Sequence, residues 1–175
     1  IPKYNKKVLG IEKLYRADFK LSDSTYLNAD GLYWHSEVNN DNSYHFEMRE
    51  NYEKSNLSIL QFREDEIRDK MDIVKSIINN HIGAISEKIF ARKTICKEVN
   101  LFVAQSFLNN NHLMGSLNGV SHMGLYYQNE LVSLLSFKMK KTDLIIERFC
   151  SKLNTVIVCG LSKLLKNIVN LKSPR

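Results

Sequence analysis

The sequence predicts an α/β protein: a mixed sheet with flanking helices over residues 1–83, followed by a second small α/β domain over residues 84–175. Three observations predict it. Tyr15, Ala17, Phe19 and Leu21 alternate with Arg16, Asp18 and Lys20, as in a strand with one face inward. Strand and helix signals then run in the order strand, strand, helix, strand, helix as far as Gly83. The charge changes at that glycine. Residues 1–83 carry 12 Lys and Arg against 14 Asp and Glu, a net −2, and residues 84–175 carry 13 against 5, a net +8.

Ile1 to Gly10 is polar and basic and reads as an arm or the end of a helix. Ser22-Asp23-Ser24 is a turn of small polar residues, so the strand before it and the strand from Thr25 to Asn28 form a hairpin. Ser43 starts a helix to about Ser55. Leu57 to Phe62 is a strand apolar enough to lie centrally, and the charged run Arg63 to Glu66 closes it. Asp72 begins a helix whose apolar stripe, Ile73, Val74, Ile77 and Ile78, ends near Gly83.

Beyond Gly83, Phe90 to Ile95 reads as extended and Leu101 to Leu108 as helical, broken by Asn109-Asn110-Asn111. Met123–Tyr127 and Leu131–Phe137 flank Gln128-Asn129-Glu130, a hairpin signal. Leu144 to Phe149 is a further strand, and Gly160 opens a last helix with Leu164, Leu165 and Ile168 on its apolar side.

Composition narrows the function class. Hydrophobic residues are 43% and charged residues 25% of the chain, as in an ordinary globular protein. No apolar run is long enough to cross a bilayer and no signal peptide opens the chain. Ile1 in place of Met, and the ending Lys172-Ser173-Pro174-Arg175, read as a piece or a processed product of something longer. Three cysteines without Cys-x-x-Cys spacing suit a reducing, cytoplasmic setting and leave no zinc framework. A basic half joined to a half with clustered acids suits a nucleic-acid enzyme, in which carboxylates hold a metal and Lys and Arg hold phosphates.

The densest chemistry lies in Asp30-Gly31-Leu32-Tyr33-Trp34-His35-Ser36-Glu37, at the junction of a strand and a polar loop. With Leu60-Gln61-Phe62-Arg63-Glu64-Asp65-Glu66 and Ile73-Val74-Lys75-Ser76-Ile77-Ile78, this run resembles phage-encoded homing endonucleases of the Hef-like group. Their nuclease domain is similar to the very short patch repair (Vsr) endonuclease. That enzyme has an Asp on a strand and a Trp-His run further on, here Asp18 and Trp34-His35. The likeness continues through Phe107 to Gly115, Gly124 to Ser133 and Arg148 to Asn154, which look like the second domain of those phage proteins. The family reads Glu-x-Asn-Gly before the aromatics, whereas this chain reads Asn28-Ala29-Asp30-Gly31.

The resemblance implies a restriction-endonuclease-like, Vsr-like domain at 1–83 and a basic, DNA-binding accessory domain at 84–175. It implies hydrolysis of phosphodiester bonds in double-stranded DNA with Mg²⁺ or Mn²⁺ on Asp18 and Asp30, inside a bacterial host cell. His35 would be the general base or water-orienting group, with His45 orienting it or touching phosphate. Trp34 would meet bases, and Arg92, Lys93, Lys97, Lys138, Lys140, Lys141 and Arg148 would meet phosphates. No small-molecule substrate and no membrane partner are expected, and the sequence leaves oligomeric state open. The alternative is a catalytically degenerate remnant that binds DNA or protein without cutting. A fainter likeness, helix, hairpin, strand and Gly-led helix, is to an acyl-CoA-dependent N-acetyltransferase core, in which Gly160-Leu161-Ser162 would cradle a phosphate.

Overall fold

A computed structural model describes residues 16–31, 44–141 and 143–172. The fold is mixed α/β. The chain divides into two compact units, residues 1–74 and 75–175, so the division falls inside a helix, ahead of the Gly83 boundary that composition suggests.

The first unit is a three-stranded sheet in the order β1-β2-β3, with β1 at Phe19–Lys20, β2 at Thr25–Asp30 and β3 at Ser58–Arg63. β1 and β2 form the expected antiparallel hairpin, but β1 is only two residues long. β2 and β3 run parallel with Tyr26 opposite Ile59, Asn28 opposite Gln61 and Asp30 opposite Arg63. The crossover between them carries helix α1, Tyr44–Lys54. Tyr26, Met48 and Tyr52 form the small core beneath α1. The two tyrosine rings meet edge-on, 5.2 Å apart at 63°.

Glu64–Asp69 is a short helix, α2, where the sequence suggests only a charged run. It buries no residue, so no apolar stripe announces it. Its ends are held locally instead. The Arg63 amide donates to Glu66 Oε2 at 3.0 Å, and Glu64, Asp65 and Glu66 place negative charge on the first turn. Helix α3 follows at Met71–His81. Gly83 ends it at φ +72°, where the Ala84 amide reaches back to the Asn79 carbonyl at 2.8 Å.

The second unit is built on an antiparallel sheet in the order β5-β6-β7-β8. The chain enters through β4 (Lys88–Phe90), a 3₁₀ turn (Ala91–Lys93) and β5 (Ile95–Glu98), so the stretch expected to be extended is in fact kinked. Helix α4, Leu101–Asn111, continues through the asparagines that seemed to break it. Asn111 is the last helical residue, and its side chain donates to the Phe107 carbonyl one turn back. β6 (Ser121–Tyr127) and β7 (Glu130–Lys140) form the expected hairpin. Gln128 and Asn129 turn it with φ of 50° and 65°, the positive pair a two-residue hairpin needs. β8 is Asp143–Ser151; β9, Val156–Val158, pairs parallel with β4; α5 is Gly160–Lys172.

The two faces of this sheet carry separate cores. One packs Met123, Leu125, Val132, Leu135 and Phe137 with Leu164 and Ile168 of α5. The other packs Val99, Leu131, Leu134 and Cys150 with Ala104 and Leu108 of α4. Gly124 lies on the α4 side, where an added Cβ would come within 2.5 Å of Leu131 Cδ1 and 2.6 Å of Val99 Cγ2. Glycine is therefore required there by close packing.

Candidate functional site

The C-terminal end of β2 gathers the polar side chains of the first unit. Strand alternation sends Tyr26, Asn28 and Asp30 to the face that α1 covers, since Tyr26 meets Tyr52 of that helix. Asn28 is 5% exposed and Asp30 is 7% exposed. A carboxylate at that depth must be hydrogen-bonded to be stable. Asn28 Nδ2 donates to Asp30 Oδ1, and His45, near the start of α1, brings Nδ1 to 3.5 Å from Asp30 Oδ2. Gln61, opposite Asn28 on β3, donates to Met48 Sδ of α1 at 3.7 Å.

Asp18 is exposed just ahead of β1, and its Oδ2 accepts the Ala29 amide at 2.8 Å. It caps the edge of β2 just beyond the start of β1, in place of a ladder carbonyl. The structure thus brings Asp18 to the residue next to Asp30, with one of its oxygens already engaged by backbone. Glu66 and Asp65 are taken up at α2: Glu66 by the Arg63 amide, Asp65 by the Arg63 guanidinium at 2.8 Å. Trp34 and His35 lie outside the described residues.

Among the described residues no group of three or more His, Cys, Asp or Glu comes together as a metal site. Asp18 and Asp30 are the carboxylates near the end of β2, each already accepting a hydrogen bond. That set matches the habit of Mg²⁺, which keeps several waters and needs only one or two protein carboxylates.

The basic residues fall into separate groups on the second unit. Arg92 and Lys93 are exposed on the 3₁₀ turn, the Arg92 guanidinium lying 5.2 Å from the Phe90 ring centre. Lys97 on β5 sits 5.5 Å from the Tyr126 ring centre. Lys138, Lys140 and Lys141 share one end of the β7–β8 hairpin, but Lys138 is paired with Glu147 at 3.1 Å. Arg148 is half-buried on β8, its Nη1 donating to the Glu147 carbonyl and its Nε enclosed without a hydrogen-bond partner among the described residues. Lys97 and Arg148 stand on opposite edge strands of the four-stranded sheet.

Three residues that the sequence does not flag are tied into this unit. Lys163 Nζ donates to the Ala91 carbonyl at 2.8 Å and to the Thr94 carbonyl, clamping α5 to the 3₁₀ turn. His122 and Ser136 hydrogen-bond inside the sheet, Nδ1 to Oγ at 2.9 Å. Their only trace in the sequence is polar residues set into apolar strands. Gly160 does begin α5, but its missing side chain is explained by Ile157, whose Cγ2 would lie 2.9 Å from a Cβ there.

Comparison with protein-family models, with curated proteins and with solved structures finds no match to this chain.

Proposed function

We propose that the first unit carries the site of a metal-dependent DNA endonuclease of the homing type, with a restriction-endonuclease-like, Vsr-like fold, and that the basic second unit helps to hold double-stranded DNA. One observation carries the reading: a buried carboxylate, Asp30, ends a parallel strand with an imidazole, His45, 3.5 Å from one of its oxygens. The ends of parallel strands are where α/β enzymes place their reactive groups.

In this reading Asp30 and Asp18 hold Mg²⁺ or Mn²⁺, which would polarise the phosphate and sharpen a water into a nucleophile. The chain's own part is orientation and proton handling. Asp30 Oδ2 fixes the His45 ring with its proton on Nδ1, and Nε2 then accepts the proton of the attacking water. At 3.5 Å the Asp30–His45 contact is longer than a formed hydrogen bond, and a small rotation of either side chain closes it. Here His45 takes the general-base role that the resemblance gives to His35, which lies outside the described residues. Supercoiled plasmid incubated with the chain and Mn²⁺ tests the proposal. Nicking that disappears in Asp30→Asn supports it; intact plasmid with the unaltered chain, across Mg²⁺ and Mn²⁺, overturns it.

A second reading rests on Asn28. Where the resembling family has an acid, this chain has an amide whose N–H occupies Asp30 Oδ1. A remnant that binds DNA without cutting fits that substitution. It predicts affinity that falls with salt at about 0.9 log units per log unit for each phosphate contacted, with no cleavage under any metal.

A further inference from the structure

β7 outruns the sheet it belongs to. β6 begins at Ser121, opposite Phe137, so Lys138, Met139 and Lys140 at the end of β7 have only β8 beside them among the described strands. Lys138 pairs with Ile145, Met139 with Leu144 and Lys140 with Asp143, and Lys141 begins the turn at φ +56°. The result is a two-stranded ribbon. The register slips at its base: Ser136 faces Arg148 and Phe137 faces Ile146, which leaves Glu147 as an extra residue. Such a bulge bends its strand and strengthens the twist, so it re-aims what lies beyond it.

Both faces of the ribbon meet solvent. Alternation puts Lys138, Lys140, Asp143 and Ile145 on one face and Met139 with Leu144 on the other. Ile145 is 40% exposed and Met139 36% exposed, while Leu144 leans on the α5 core. Lys138 is held by Glu147 at 3.1 Å, and Lys140 and Lys141 are exposed at the far end. Apolar side chains on an exposed ribbon invite unwanted pairing, which lysines discourage. The same lysines attract anions.

Dimensions and charge point to one occupant. Beyond Phe137 the ribbon extends about 10 Å at ~3.4 Å per residue, and its strands lie about 5 Å apart. The major groove of DNA is about 12 Å wide and about 8.5 Å deep, and it admits a two-stranded ribbon. On the ribbon itself the three lysines stand against Asp143 and Glu147, and residues 84–175 as a whole carry a net +8. The local excess is small, so the ribbon contributes fit and a few contacts while the charge of the whole unit draws the polyanion in.

We propose that the β7–β8 ribbon enters the major groove of double-stranded DNA, with Lys140 and Lys141 on the phosphates that border it and Ile145 toward thymine methyl groups. This rests on the reading that the second unit holds DNA, and it names the element that does so.

The test is fluorescence anisotropy of a labelled mixed-sequence duplex with the whole chain. Lys140→Gln combined with Lys141→Gln changes two exposed residues. It should weaken binding about tenfold and lower the slope of log affinity against log salt by about 2. Methyl green, a major-groove ligand, should displace the native chain, and netropsin, a minor-groove ligand, should not. Two results overturn the ribbon while leaving the unit's DNA-holding role intact: full affinity in the double variant, or displacement by netropsin and not by methyl green. Self-association that the double variant loses, with DNA affinity unchanged, makes the ribbon a contact between copies and overturns it as well. A native chain that binds no duplex even at low salt overturns both the ribbon and the reading beneath it.

Discussion

Asp30 stands between two groups: His45 Nδ1 lies 3.5 Å from its Oδ2, and Asn28 Nδ2 donates to its Oδ1. Asn28→Asp replaces that donor with a second carboxylate, two residues away on the same buried face. Two like charges at that depth repel and lose a hydrogen bond, so the variant is destabilised by about 2–3 kcal/mol in metal-free buffer. A divalent cation answers both defects. Thermal melts with and without Mn²⁺ therefore show a larger metal-induced rise in Tm for Asn28→Asp than for the native chain. Equal rises in the two proteins would refute this account of the pair.

Asp18 serves the backbone, whatever its part in chemistry. Its Oδ2 accepts the Ala29 amide at 2.8 Å, just ahead of the start of β1. Asp18→Ala removes a charge-assisted bond at an exposed site and costs about 1–2 kcal/mol, whereas Asp18→Asn keeps an acceptor and loses about half of that. Urea denaturation of the two variants reads this directly, and it separates a structural loss from a loss of cutting.

These residues show what was legible in the sequence. The alternation around Asp18 and Phe19, the apolar run of β3 and the Gln128-Asn129 turn are local signals, and each corresponds to an element. α2 escaped notice because helix-end hydrogen bonds hold it and no apolar stripe marks it. β9 is three residues, Val156 to Val158, too short for any period to declare itself. The Asp30–His45 approach needed the parallel register of β2 with β3 and the crossover of α1, neither of which spacing encodes. His122 and Ser136 are 14 positions apart and meet only through strand pairing.

Lys163 is a fastener whose loss should be felt well beyond its own helix. Its half-buried ammonium bonds the carbonyls of Ala91 and Thr94, joining α5 to the 3₁₀ turn. Lys163→Met keeps the aliphatic stem but removes a charged donor from both carbonyls; the Ala91 carbonyl keeps the Thr94 amide and hydroxyl, and the loss is about 1–2 kcal/mol. Hydrogen exchange at the Thr94 amide, which donates to the Ala91 carbonyl at 3.0 Å, should quicken along with the global loss.

The cysteines should react in order of exposure. Burial pushes the Cys150 thiol up to about 12, and it raises that of half-exposed Cys96 against the opposing pull of Lys163. Cys159 is exposed. Thiolate is the attacking form, so iodoacetamide at pH 8 labels Cys159 first, Cys96 more slowly, and Cys150 only when the chain unfolds. Mass spectrometry of a timed series resolves the three. Early labelling of Cys150 would contradict the packing of the α4 core.

His122 makes the second unit sensitive to acid, and the direction can be worked out. Burial lowers its folded pKa below the ordinary 6.5. In the unfolded chain the imidazole takes up a proton as pH falls through that ordinary value, while in the folded chain it stays neutral. The unfolded state then binds more protons, and stability drains away until pH passes the lower, folded value. The charged and polar neighbours do not reverse this. Glu98 of β5, which lines the same hollow as His122, is exposed to solvent, so water screens its charge. Native chain and His122→Asn should therefore lose stability to different extents between pH 7 and pH 5, the native chain losing more. The carboxylates and other histidines cancel in that comparison. Parallel curves of urea midpoint against pH would mean that His122 titrates alike in both states, and the enclosed neutral imidazole would have to be abandoned.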